Sequence, residues 1–334
     1  MSASVPGTPL LIPALAAGDR VQHQLLVVGR EEKRTGGGDP FVVLTLRNRT
    51  GKIETAPIWS NQMTWADGAA VGKIVQAIGD VSIYPRTGKK QLAITGPVRV
   101  LPDQLFDPAE FLPSIDGDRE RLWDYLDRER AGLGSPALRA VLDVIFGDDD
   151  FRVRFEQAPA STGGHHAKLG GLLLHVSEVV NIGKSAARTM RANPDLVVAG
   201  AMLHDIGKVE SYEVGPGGFG FTPCGLLVGH VVMGVLMLER AMTRLGREVC
   251  TPGQLLEVQH MILSHHGTLE HGSPVEPMTA EAEILHWADE TSAKGADMME
   301  SLEDPEHFQG GGAFSDKRVF RLNRRIWRRP HRWD

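Results

Sequence analysis

The spacing of apolar residues changes once along this chain, and that change limits the fold more than any other feature. Between residues 18 and 100, apolar side chains alternate with polar ones in short runs at 21–28, 41–46, 53–59, 74–78 and 91–94. Clusters of Gly, Asn, Pro and Thr at 35–40, 48–51 and 86–89 separate those runs. Alternation bounded by turn residues predicts strands. Beyond residue 118 the spacing becomes three and four. It predicts helices at 118–130, 135–146, 171–190, 193–205, 225–245 and 254–266, and one from 279 to 289. The stretch 214–225, rich in Gly and Pro, reads as a turn or small hairpin. Five short strands over about 80 residues suit a small closed barrel, of which the oligonucleotide-binding (OB) type is the common five-stranded form. The expected organisation is an arm at 1–17, an all-β OB-type barrel at 18–100, a linker at 101–117, an all-α domain at 118–315 and a basic tail at 316–334.

A chain of 334 residues with 42% hydrophobic content is long enough for two cores. Two cysteines, Cys224 and Cys250, make no disulfide framework. They suit a reducing compartment and read as buried thiols. The apolar stretch around 10–17 lacks a basic leader and is interrupted by proline, so it reads as a docking strand or loose arm, not a signal peptide. No apolar run reaches bilayer length, so a cytoplasmic protein with no membrane partner is expected. The net charge of −6 is unevenly spread. Residues 18–100 carry +5 and residues 316–334 carry +6, which leaves the middle strongly acidic. Basic flanks suit a polyanion, and acidic surface near a metal site helps hold cations. On the barrel, Phe41, Trp59, Trp65 and Tyr84 are candidates for base stacking. Arg47, Arg49, Lys52, Lys89 and Lys90 are candidates for phosphate contacts.

The chemistry concentrates in the helical part. His204 and Asp205 are neighbours, and adjacent side chains on a helix diverge. They converge on one ion only near a helix end, and Gly207 reads as the stop signal. His175 precedes the pair, and His230, His265 with its neighbour His266, and Asp289 follow, with His175, His230, His265 and Asp289 each in a separate helical segment. Imidazole and carboxylate together favour first-row divalent ions over magnesium, which prefers oxygen. The expected first metal takes His175, His204, Asp205 and Asp289. Asp205 is placed to bridge to a second ion at His230 and His265, with His266 as an outer donor or substitute ligand. Two such ions activate water and clamp phosphodiester oxygens during in-line attack. Lys208 lies one turn beyond His204, within reach of a phosphate oxygen. His165 and His166, one loop before His175, are placed at the rim of the site, with His166 taken as a catalytic group. His260 and His286 read as core residues, and His23, His271, His307 and His331 as surface ones. The run 215–220 lacks the Gly-Lys-Ser/Thr ending of a phosphate loop.

Several segments resemble the HD superfamily of metal-dependent phosphohydrolases and, within it, the YhaM-type 3′→5′ exoribonucleases. They are Gly170-Gly-Leu-Leu-Leu-His175 with its lead-in His165-His-Ala167, Leu203-His-Asp-Ile-Gly-Lys208, Leu227-Val-Gly-His230, Met261-Ile-Leu-Ser-His-His-Gly267 and Glu281-Ala-Glu-Ile-Leu-His-Trp-Ala-Asp289. The β-rich front, Phe111-Leu-Pro113 and the tail from Arg318 to Trp327 extend the resemblance over about residues 18–327. It implies an OB-type barrel joined to a helical HD domain. It also implies two divalent ions, manganese first with iron, cobalt, nickel or zinc as alternatives, and stepwise removal of nucleotides from a 3′ end. The implied partner is single-stranded nucleic acid, RNA before DNA, and a homo-oligomer is left open. Two rival readings are a phosphohydrolase of a small nucleotide, such as a cyclic dinucleotide or deoxynucleoside triphosphate, and a non-catalytic strand-binding protein. The front barrel argues against the first, and the complete ligand series argues against the second.

Overall fold

The computed structural model describes residues 10–115, 117–215 and 217–333. It divides into two units, residues 1–114 with 214–218, and residues 115–213 with 219–334.

The first unit is a barrel. Its strands are β1 (Arg20–Arg34), β2 (Pro40–Asn48), β3 (Gly51–Thr55), β4 (Ile58–Trp59), β5 (Ile74–Ile83), β6 (Lys90–Ile94) and β7 (Arg99–Val100). Five of them close on themselves. β1 pairs antiparallel with β2 and β5, β2 with β3 and β5 with β6, and β3 meets β6 in parallel. That order is the OB arrangement. β1 serves both neighbours because it is long. Residues 20–26 face β5, residues 26–34 face β2, and a register shift at Val27/Gly29 turns the strand between them. Alternate residues fill the interior, among them Val21, Leu25, Val42, Leu44, Leu46, Val75, Ala77 and Leu92. The run expected as one strand at 53–59 is two, because Pro57 cannot donate to a ladder; the chain breaks there, and β4 returns to pair with β2. Leu10, Ile12 and Leu15 are buried in the barrel core around a 3-10 turn at Ile12–Ala14, so the described part of the arm is neither a strand nor loose. Residues 1–9 of the expected arm lie outside the described residues.

The second unit is helical: α1 (Arg119–Ala131), α2 (Pro136–Phe146), α3 (Asp149–Gln157), α4 (Gly171–Met190), α5 (Pro194–Leu203), α6 (Lys208–Ser211), α7 (Pro223–Leu227), α8 (His230–Leu245), α9 (Pro252–Ser264) and α10 (Ala280–Glu303). A hairpin of β8 (Tyr212–Gly215) and β9 (Gly218–Phe221) follows α6. The helix starts are written in the sequence. Ser135, Asn193 and Thr251 cap first-turn amides ahead of a proline, and Thr251 with Gln254 forms a reciprocal capping box. α4 and α5 run through the core, packed by residues such as Phe155, Leu172, Val176, Met202, Leu203, Met261 and Leu285. α3 is held to α1 by a side-chain cluster. Arg152 stacks 4.0 Å over the Trp123 ring and donates through both terminal nitrogens to the Asp127 carboxylate, each at 2.9 Å.

Three expectations need correction. The helix expected at 225–245 is two, since Gly229 adopts a left-handed φ of 79° between α7 and α8. The last helix runs on past Asp289 to Glu303. Cys224 is exposed and Cys250 half-buried, so neither is a core thiol. Beyond α10 the chain folds back, with Phe308, Val319 and Ile326 packed against Met298 and Leu302. Among the described residues, no helix is long and apolar enough to cross a membrane.

Candidate metal centre

α5 ends at Leu203, so His204 and Asp205 leave the helix in a tight turn and point to one side together. α4 brings His175, α8 brings His230 at its first residue, the end of α9 brings His265 and His266, and α10 brings Asp289. The donor atoms fall into two groups, His175/His204/Asp289 and His230/His265/His266, each within 4.8 Å internally. Asp205 lies between them. Its Oδ2 is 3.2 Å from His204 Nε2 and 3.5 Å from His175 Nε2; its Oδ1 is 3.4 Å from His230 Nε2 and 3.7 Å from His265 Nε2. One carboxylate thus turns one oxygen to each group.

The far side of the rings fixes their tautomers. The Nδ1–H of His204 donates to the Ala201 carbonyl at 2.8 Å, that of His265 to Ile262 at 2.7 Å and that of His266 to His271 at 2.8 Å. His175 donates to the Ser292 hydroxyl at 2.9 Å, and Ser292 donates onward to Glu178 Oε2 at 2.6 Å. With the proton on Nδ1, each Nε2 presents a lone pair to the centre. His175 Nε2 then lies 3.3 Å from His204 Nε2, lone pair to lone pair when both rings are neutral, and His230 Nε2 lies 3.2 Å from His266 Nε2. Two facing lone pairs repel unless a proton or a cation lies between them. Asp205 Oδ1 and His265 Nε2 are buried without a hydrogen-bond partner among the described residues, a costly arrangement for acceptors that a cation would relieve. The donor set therefore fits divalent ions of the first row.

The charge states agree with that fit. Burial, with Lys208 next, pushes His230 down to about 3, and burial with the neighbouring His266 and His204 takes His265 well below its usual value. Burial also lowers His175. Burial opposes charge at His204, but the Asp205 and Asp289 carboxylates outweigh it and raise that ring. Burial likewise opposes ionisation of Asp205 and Asp289. Lys208 and His204 hold Asp205 well below the carboxylate range, and His175 and His204 do the same for Asp289. Burial thus favours the neutral rings of His175, His230 and His265, while His204 holds its proton more strongly beside two ionised carboxylates.

Other expected residues fall differently. Lys208 is buried and its Nζ sits 2.5 Å from Asp205 Oδ2, so it fixes that carboxylate instead of pointing outward to a phosphate. His166, taken from the sequence as the catalytic member of its pair, adopts a left-handed φ of 47° and turns away to Glu178, 3.0 Å from Nε2 to Oε2. His165 takes the expected place. Its ring lies 5.1 Å from that of His175, and its Nε2 is buried with no partner among the described residues. His286 Nδ1 donates to the His265 carbonyl, a packing role as expected. Gly207 is no left-handed stop, since its φ is −64°. It is small because a Cβ there would lie 2.0 Å from the His230 carbonyl oxygen.

On the barrel, Phe41 and Trp59 come together with ring centroids 5.3 Å apart, and Trp59 is exposed. Tyr84, Lys52 and Lys89 are exposed, and Trp65 packs partly into the core. Arg47 is half-buried, with Nε enclosed and lacking a partner among the described residues. Arg49 donates to the Glu110 carbonyl and Lys90 to the Pro13 carbonyl, so these two are engaged within the unit. Glu178 and Ser292, which hold the His175 ring, are not among the expected site residues. A signal existed: each lies three residues after a candidate ligand, His175 and Asp289, and so shares its helical face.

The HD domain family matches residues 172–294, the stretch that carries every proposed ligand. Over 94% of its length the chain aligns at 31% identity with the 3′-5′ exoribonuclease YhaM of Bacillus subtilis, covering 96% of that protein. The chain belongs to the YhaM family. Proteins of the same name from Bacillus pumilus and Listeria innocua align at 30% identity, again over 94% of this chain and 96% of theirs.

Proposed function

We propose that this YhaM-family chain is a divalent-metal-dependent 3′→5′ exonuclease on single-stranded RNA that releases nucleoside monophosphates. The observation that carries the reading is Asp205, one oxygen toward each of two imidazole groups. His175, His204 and Asp289 would hold one ion, and His230, His265 and His266 the other, with Asp205 shared. When bound, such a pair activates water and stabilises the charge that develops on the phosphodiester oxygens. The remaining steps belong to side chains. Lys208 keeps Asp205 ionised and fixed. Ser292 and Glu178 hold the His175 ring in register. His165, whose buried Nε2 has no hydrogen-bond partner among the described residues, is the group set to hydrogen-bond a phosphate oxygen brought into the site. The exposed Trp59 against Phe41, with the basic excess of the barrel, supports strand binding by stacking and charge.

Incubation with 5′-labelled single strands tests this directly. RNA should shorten from its 3′ end when manganese is present and stay intact when it is chelated, and Asp205→Ala should be inactive. RNA left whole by the wild-type protein, together with turnover of cyclic dinucleotides or deoxynucleoside triphosphates under the same conditions, would overturn it.

A further inference from the structure

The C-terminal segment is a built surface, not a loose end. Residues 313–319 and 324–328 run antiparallel. Phe314 bridges Trp327, Val319 bridges Arg324, and Arg328 N donates to Ala313 O at 2.7 Å. The turn between them is a 3-10 element at Phe320–Leu322 with Asn323 left-handed at φ 51°. Ser315, Val319 and Ile326 point inward and are buried, Leu322 is half-buried against them, and the other residues between them are exposed. Phe314 and Trp327 are directly opposed and so share one face of the hairpin. The series of rings continues from Trp327 to His331 at 6.1 Å and on to Trp333 at 5.7 Å, with the Arg325 guanidinium 5.7 Å over Phe314. Trp333 is 83% exposed. Among the described residues, the side chains of Arg324, Arg329 and Arg332 have no hydrogen-bond or ion-pair partner.

Exposed rings cost water structure, and a +6 charge over residues 316–334 costs self-repulsion. Rings interleaved with unpaired guanidinium groups match a ligand that alternates flat bases with phosphates. Insertion into lipid instead wants the charges kept to the opposite face, whereas here the Arg325 guanidinium lies over the Phe314 ring itself, and an acidic peptide offers no flat face to stack. We propose that residues 313–333 form a second binding surface for single-stranded nucleic acid. The Phe314–Trp327–His331–Trp333 series would stack bases, and Arg324, Arg329 and Arg332 would take phosphates. The identity of that strand as substrate rests on the nuclease reading above; the binding itself does not.

The test is equilibrium binding of a fluorescent single-stranded RNA to the full chain in EDTA, across a salt series. Replacing Arg324, Arg329 and Arg332 together by Ala should flatten the slope of log K against log salt by about 2, at roughly 0.7 for each phosphate no longer neutralised. Replacing the same three by Lys should keep the slope. Trp333→Ala should weaken binding about tenfold with the slope unchanged. Unchanged affinity and slope in the Ala triple variant would overturn the proposal. So would tail-dependent binding of polyglutamate or phosphatidylserine vesicles with RNA binding untouched. Manganese-dependent hydrolysis of bis(p-nitrophenyl) phosphate, a diester with no strand to hold, should be the same in all variants and reports on the metal centre alone. Loss of that hydrolysis in the wild type, with tail-dependent binding retained, would sink the nuclease reading and leave this one standing.

Discussion

Gly207→Ala is the sharpest local test of how the centre is assembled. A methyl group at that position would sit 2.0 Å from the His230 carbonyl oxygen and 2.5 Å from the Gly234 amide nitrogen. These are backbone atoms and cannot swing away. Real Cβ contacts stay beyond 3.0 Å, so the start of α8 must retreat by about 1 Å. His230 is the first residue of α8 and moves with it. Its Nε2 now lies 3.4 Å from Asp205 Oδ1 and 3.2 Å from His266 Nε2. Metal–nitrogen bonds tolerate only about ±0.2 Å, so a shift of that size takes His230 out of the second group. Misplacement by about 1 Å costs on the order of 100-fold in turnover, and the forced packing costs about 1–3 kcal/mol of stability. The assay is manganese-dependent RNA degradation alongside metal content after equilibrium dialysis. Turnover should fall about 100-fold, with one tight ion retained at the His175 group. Full activity with two bound ions would refute the claim that the close approach of the His-Asp turn to α8 builds the second group.

Other predictions follow from the same geometry. Ser292→Ala leaves the buried His175 Nδ1–H without its acceptor and should weaken manganese affinity about 10- to 100-fold by titration calorimetry; wild-type affinity would deny Ser292 its positioning role. His165→Ala should lower turnover by about 100- to 1000-fold while two ions still bind, and loss of an ion would show that His165 is a ligand instead. Because the ions bind only the folded chain, manganese at about 100 times its Kd should add roughly 2.7 kcal/mol per ion. Thermal unfolding should therefore shift upward on addition and back on chelation, and an unmoved transition would mean no ion is held.

Much of this was legible because its determinants are local or periodic. The barrel showed in alternation, and the helix starts showed in Ser135, Asn193 and Thr251 with their prolines. The His and Asp series pointed to one centre because His175, His204, His230, His265 and Asp289 sat in five separate apolar segments. What stayed hidden depends on contacts across the fold. α3 escaped notice because its sequence is mostly charged; Arg152 stacking on Trp123 and pairing with Asp127 helps anchor it, alongside its buried Phe151 and Phe155. Which of His165 and His166 faces the ligands depends on one left-handed residue in a loop, which no periodicity encodes. Gly207 marked the right place for a physical reason other than the one inferred, namely close approach to another helix instead of a left-handed cap. Lys208 turned inward because a buried carboxylate stood within its reach.

The most direct test of the central claim is a crystal grown with manganese and measured at the metal's absorption edge. The account predicts two anomalous peaks per chain, about 3.5–4 Å apart, one beside His175, His204 and Asp289 and one beside His230, His265 and His266, with an Asp205 oxygen on each. A single peak, or two peaks neither of which touches Asp205, would contradict it.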